Sequence, residues 1–207
     1  MPFSLNRNQF VGKKLGTLNG ETILDIGCRD MIFKKSLQGD FKYTGLDFQK
    51  NDSQINSSFI NCNLESGLPN NLEKYDIINA LDVLEHLENI HYVFKELFKH
   101  SNKKIVIALP NIGYYRFRFS FLFKGIISKK YSFNENITED RHRWVPNYFS
   151  IQKFIKKNLD NNWEYKKYNF IFERRRNFIF FYIEKALSYL LPGLFVYEVI
   201  YFFNKKK

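Results

Sequence analysis

Two cysteines in 207 residues, Cys28 and Cys62, stand 34 positions apart and form no Cys-x-x-Cys pair. That excludes a disulfide framework and points to a reducing, cytoplasmic compartment. Four histidines are too sparse for a zinc cluster, so no metal site is expected. No apolar run reaches the roughly 18 residues that a membrane-spanning helix needs. The most apolar stretch, Phe178 to Phe203, is interrupted by Glu184, Lys185, Pro192-Gly193 and Glu198. The opening Met1-Pro2-Phe3-Ser4-Leu5-Asn6-Arg7 lacks the apolar segment of a signal peptide. Acidic residues are the minority, 21 against 32 Lys and Arg, which leaves a formal net charge of +11. The excess gathers at Lys129-Lys130, Arg141 to Arg143, Arg174-Arg175-Arg176 and Lys205 to Lys207. Such a surface is mainly a solvated basic face, with room for peripheral contact with a membrane or another anionic surface.

What is present suits one soluble α/β domain spanning 1–207. Hydrophobic residues make up 44% and aromatics 18%, a globular composition that excludes disorder. The 23 Phe and 13 Tyr read partly as coding bias, so no single Phe carries weight.

Short apolar runs predict strands at Thr22 to Ile26, Tyr43 to Asp47, Phe59 to Cys62, Tyr75 to Ala80 and Lys104 to Leu109. Helical spacing of Val83, Leu87, Ile90, Phe94 and Leu97 predicts a helix from Val83 to His100 with those residues in the core. A shorter helix is expected over Met31 to Leu37. Strands alternating with helices imply a doubly wound, mostly parallel sheet of about seven strands, the last antiparallel, with helices on both faces. The cofactor-binding half would be 20–110, and 111–160 would supply acceptor-side helices and a polar lid, Tyr131 to Arg143. Residues 161–207 would complete the sheet through strands from Trp163 to Glu173 and Leu194 to Phe203 and a helix from Asn177 to Leu190.

In such sheets ligands bind beyond the carboxyl ends of the strands. The first strand leads into Asp25-Ile26-Gly27-Cys28-Arg29-Asp30, and the second ends in Asp47, twenty residues after Gly27. A carboxylate at that spacing can accept both hydroxyls of a ribose. The turn lacks the Gly-x-Gly-x-x-Gly that holds a pyrophosphate, and Asp25 and Asp30 would repel one. A cofactor with a cationic end, such as S-adenosylmethionine, would be attracted instead. A nucleotide-dependent dehydrogenase is disfavoured on the same ground.

Ile23-Leu24-Asp25-Ile26-Gly27-Cys28 resembles the first motif of class I S-adenosylmethionine-dependent methyltransferases. Asp47 is similar to their ribose-binding acid, and Asn63-Leu64-Glu65 with Leu68-Pro69 to the segment that lies against adenine. Tyr75-Asp76-Ile77-Ile78 followed by Asp82-Val83-Leu84-Glu85-His86-Leu87 resembles their signature after the fourth strand, and Pro110-Asn111 the end of the fifth. The stretch from Leu109 to Gly113, with Arg116, Arg118 and Gly125, resembles the MetW-like branch. His142-Arg143-Trp144 and Leu191-Pro192-Gly193-Leu194-Phe195 resemble methyltransferases of cell-surface polysaccharide clusters. Arg29 and Met31 stand where the family usually has glycine.

The resemblance implies methyl transfer from S-adenosylmethionine to a small polar acceptor, such as a sugar hydroxyl. Cofactor contacts fall to Asp25, Gly27, Cys28, Asp47, Phe48, Asn63, Leu64 and Ala80, and acceptor contacts to Asn111 and Arg143. His86, four residues after Asp82 and on the same side of the expected helix, is a candidate general base, as is His142 in the lid. The MetW-like branch implies a second reading, a cofactor-binding partner of a homoserine acyltransferase. No specific nucleic acid is expected, because no Asn-Pro-Pro-Tyr type of base-flipping motif follows the fourth strand.

Overall fold

The computed structural model describes residues 6–49, 58–127, 131, 142–171 and 178–206. Most of the expected lid, the Arg174 to Arg176 run and the end of the strand expected to reach Glu173 lie outside the described residues.

The first element is a helix that the apolar spacing does not announce. Helix α1 (Arg7–Leu15) starts in a capping box, in which Asn6 Oδ1 accepts from the Gln9 amide and Gln9 accepts from the Asn6 amide. Strands β1 (Thr17–Ile26), β2 (Gln38–Asp47), β3 (Ser58–Asn61), β4 (Tyr75–Leu81) and β5 (Ser101–Pro110) follow, joined by helical turns and by α2 (Ile90–His100). Then come α3 (Tyr115–Lys124), α4 (Tyr148–Asn158), β6 (Trp163–Phe170), α5 (Phe178–Leu190), α6 (Pro192–Phe195) and β7 (Glu198–Lys205).

The seven strands among the described residues form one sheet in the order β3-β2-β1-β4-β5-β7-β6. The first five pair in parallel, and β7 runs antiparallel to both β5 and β6. Side chains alternate between the two faces, as the period of a strand demands. Leu24, Ile105 and Phe203 meet Phe94 and Leu97 of α2 and Ile151 and Ile155 of α4 on one face. Ile23, Val106 and Phe202 meet Val11 of α1 and Phe33 on the other. The central strands are therefore buried on both sides, while the edge strand β6 exposes Glu164, Tyr165 and Lys166.

The helix expected from Val83 to His100 is broken. Leu84–His86 is a single 3-10 turn, and α2 begins only at Ile90. The break falls at Leu87, whose extended backbone (φ −95°, ψ 132°) ends the turn before α2 can begin. The five apolar residues expected in the core are all buried there nonetheless. Met31 to Leu37 forms a 3-10 helix, Ile32–Ser36, in place of an α-helix. Leu194 and Phe195 lie in α6, ahead of the last strand.

Candidate functional site

The reversal of strand order between β1 and β4 opens the sheet at their carboxyl ends, where two cavities meet. The larger, about 570 Å³, is lined by Asp47, Phe48, Asn63, Leu64, Val83, His86 and Arg143, among others. The smaller, about 250 Å³, is lined by Arg7, Asn8, Asp25, Cys28, Asp30 and Asn79, among others. Gly27, Arg29 and Asp82 border both.

The turn after β1 holds its shape without the usual glycines. Arg29 (φ +42°) and Met31 (φ +52°) both occupy the left-handed conformation that glycine adopts most readily. Backbone bonds fix it, with the amide of Gly27 donating to the Leu46 carbonyl at 2.8 Å and that of Met31 to the Cys28 carbonyl at 2.7 Å. Met31 turns inward and is buried, with Cys28, against Gly45, where a Cβ would lie 2.6 Å from Met31 Cε and from Cys28 Sγ. It takes no room from the site. Arg29 does border both cavities.

Asp47 ends β2 with its carboxylate held by three backbone amides, Arg29 at 2.9 Å on Oδ2 and Phe48 at 2.8 Å and Gln49 at 3.4 Å on Oδ1. Asp25 is buried at the end of β1, accepting from Tyr43 and, at 2.6 Å, from Asn79 Nδ2. Burial pushes its carboxyl up to about 6, against the pull of Tyr43, Asn79 and Arg7. Above that pH it carries a negative charge at the smaller cavity. Burial pushes the Cys28 thiol up to about 12, so it is an inert packing group.

Arg7 reaches in from α1 and pairs with Asp82 and, at 3.1 Å, with Glu198 on β7. Burial pulls the guanidinium down, but Glu198 and Asp82 more than offset this and hold it protonated. Glu198, fully buried, is pushed well above the usual carboxyl range by burial and by Asp82, against the pull of Arg7. Among the described residues, Arg7 Nε and Asp82 Oδ1 are buried with no hydrogen-bond partner. Arg7 was not legible as a site residue, since only the Asn6/Gln9 capping pattern hinted at the helix that carries it.

The acceptor side differs from expectation. His86 does not pair with Asp82. The left-handed backbone of Asp82 (φ +55°) turns the acid towards Arg7, and His86 stands 3.9 Å from Glu85 Oε1 and edge-on to His142, with ring centroids 4.5 Å apart. Asn111 is fully buried and structural. Its Nδ2 donates to the carbonyls of Gly193 and Val196, and its Oδ1 accepts from the amides of Gly113 and Tyr148, so its carboxamide is spent on the fold. Arg143 borders the larger cavity but pairs with Glu65 at 3.0 Å and Glu88 at 3.3 Å, which neutralises the charge expected to meet an acceptor. Ala80 is sealed inside the sheet between Ile26 and Ile107 and borders neither cavity.

The residues present fit S-adenosylmethionine. Asp47 would hold the ribose diol, Phe48, Leu64 and Val83 the adenine faces, and Asn63 its polar edge. Asp25 and the partnerless oxygen of Asp82 would attract the cationic groups, and Arg7 the carboxylate.

A doubly wound sheet with this order, with acidic residues at the carboxyl ends of its first two strands, has the class I methyltransferase architecture. Residues 6–171 match the family described as "Methyltransferase domain", and the chain belongs to it. It is 29% identical over 148 residues to the ubiquinone biosynthesis O-methyltransferase of Rickettsia typhi (strain ATCC VR-144 / Wilmington), a match that covers 65% of this chain and 54% of the relative. The chain thus spans about half the length of that curated relative. In fold it is similar to the small RNA methyltransferase HEN1, with a TM-score of 0.67 and 16% identity over 97% of this chain and 25% of that one. It is also similar to the plantazolicin methyltransferase BpumL in complex with SAH, with a TM-score of 0.59 and 15% identity over 97% and 82% of the two chains.

Proposed function

We propose that the chain is an S-adenosylmethionine-dependent methyltransferase that acts on an oxygen of a small polar acceptor, such as a sugar hydroxyl. The observation that carries the reading is the pair of cavities meeting at Gly27, Arg29 and Asp82, with Asp47 on one side and Asp25 and Arg7 on the other. Bound S-adenosylmethionine supplies an already activated methyl group, so the protein's task is mainly alignment and exclusion of water.

Asp47, with its oxygens fixed by backbone amides, sets the position of the ribose. The net negative surroundings of Asp25 and Asp82 favour a cation over a phosphate. His86 lines the larger cavity, with Glu85 and His142 beside it, and would take the proton that an acceptor hydroxyl gives up. The O-methyltransferase relative supports an oxygen acceptor, and the likeness of 142–144 and 191–195 to polysaccharide-cluster enzymes supports a sugar.

Titration calorimetry with S-adenosylmethionine tests the reading. The wild-type chain should bind, and Asp47→Ala should weaken binding by about 1.5–3 kcal/mol through the loss of charge-assisted hydrogen bonds. No binding by the wild-type chain would overturn the assignment, and an unchanged constant in the variant would remove Asp47 from the site.

A further inference from the structure

We propose that Glu85, His86 and His142 form a binding site for one divalent transition-metal cation on the acceptor side of the larger cavity. Each residue offers one ligand atom, and the three atoms lie within 4.8 Å of one another. Glu85 Oε1 is 3.9 Å from His86 Nε2 and 4.0 Å from His142 Nε2. Bonds of about 2.1 Å at tetrahedral angles place ligand atoms roughly 3.4 Å apart. Each histidine therefore has to approach the Glu85 oxygen by only about half an ångström to share a cation with it.

The surroundings are those of a built site. Glu85 is fully buried, and the side chain of His142 is 6% exposed. The Tyr131 hydroxyl lies 2.8 Å from His142 Nδ1, which orients the ring and leaves Nε2 facing the carboxylate. The Glu85 carbonyl accepts from the amides of Arg143 at 3.0 Å and Trp144 at 3.1 Å, and the Trp144 indole donates to the Leu87 carbonyl at 2.6 Å. These bonds clamp 142–144 onto the 3-10 turn and bring together histidines that lie 56 positions apart in the chain. His86 faces the larger cavity, so an open coordination position would be reachable from the acceptor side.

Two imidazoles and one carboxylate suit Mn2+, Fe2+, Co2+ or Zn2+ better than Mg2+ or Ca2+, which prefer oxygen ligands throughout. For its catalytic meaning the inference rests on the methyl-transfer reading. A cation here would hold an acceptor oxygen and lower its pKa, with His86 and His142 serving as ligands instead of bases. The binding of the metal itself stands without that reading.

The test titrates Co2+ into the metal-stripped full chain and follows its visible absorption. One Co2+ per chain is expected, with a spectrum of nitrogen and oxygen ligands and no thiolate charge-transfer band from Cys28 or Cys62. Glu85→Gln and His142→Ala should each weaken binding at least about tenfold, and Tyr131→Phe by about tenfold. Exposed His91→Ala should leave binding unchanged, and excess Mg2+ should not displace the Co2+. Thermal melts and S-adenosylmethionine calorimetry on the same variants separate lost ligands from lost folding. Absence of binding by the wild-type chain, or binding undiminished in folded Glu85→Gln and His142→Ala, would overturn the site. Metal uptake without S-adenosylmethionine binding would overturn the methyltransferase reading alone.

Discussion

Asp25 is where burial and charge conflict most directly. Its carboxyl is held at about 6 against the usual 3.8, first by burial and in spite of hydrogen bonds from Tyr43 and Asn79. A carboxyl whose folded value is raised favours the folded state fully below the unfolded value, and loses that contribution as pH rises through the folded one. From pH 4 to above pH 6 the wild-type chain should therefore lose stability on the order of 3 kcal/mol relative to Asp25→Asn, which has no charge to bury. Urea denaturation of both proteins across that range checks it, and a pH-independent difference would mean that Asp25 titrates normally. The place of Asp25 and Asp47 at strand ends beside the cavities was legible from residue type and spacing, because a strand end needs only a local signal. Asn111 was misread on the same kind of signal. Its place at the end of β5 is right, but whether a carboxamide meets a ligand or the backbone of Tyr148 and Val196 depends on segments 37 to 85 residues away.

Helix α1 joins the packing of an element to the site. Gly12 is buried on it, and a Cβ there would lie 2.0 Å from the backbone oxygen of Ser36. The helix thus rests directly on the backbone of the 3-10 helix Ile32–Ser36, and the same helix carries Arg7 at its start to Asp82. Gly12→Ala should lift the helix, with a loss on the order of 1–3 kcal/mol for overpacking against a backbone that has nowhere to go. It should also weaken S-adenosylmethionine binding, although Gly12 borders neither cavity. A melt and a calorimetric titration on the same sample measure both effects, and lost stability with unchanged affinity would detach α1 from the site. Sequence patterning missed α1 because short polar helices carry little periodic signal. It overran the start of α2 for the opposite reason. Val83 and Leu87 keep helical spacing with Ile90, yet the left-handed Asp82 and the 3-10 turn reach the same buried face by another path.

At the scale of the whole molecule, the family match ends at residue 171, but the sheet does not. Strand β7 is the last in sequence and the sixth in space, inserted between β5 and β6 along its length. Val199, Ile200, Tyr201, Phe202 and Phe203 are all buried in it. At about 1.5–3 kcal/mol for each large side chain, their burial contributes on the order of 8–15 kcal/mol, comparable with the whole stability of a domain this size. The same strand carries Glu198, one of the two carboxylates on Arg7. The tail is therefore part of the cofactor-binding fold and not an appendage to it. A chain ending at 171 should show no cooperative thermal transition by circular dichroism and no binding of S-adenosylmethionine. A cooperative melt with retained binding would mean that β5 and β6 can close the sheet without β7, and that Asp82 alone is enough to hold Arg7.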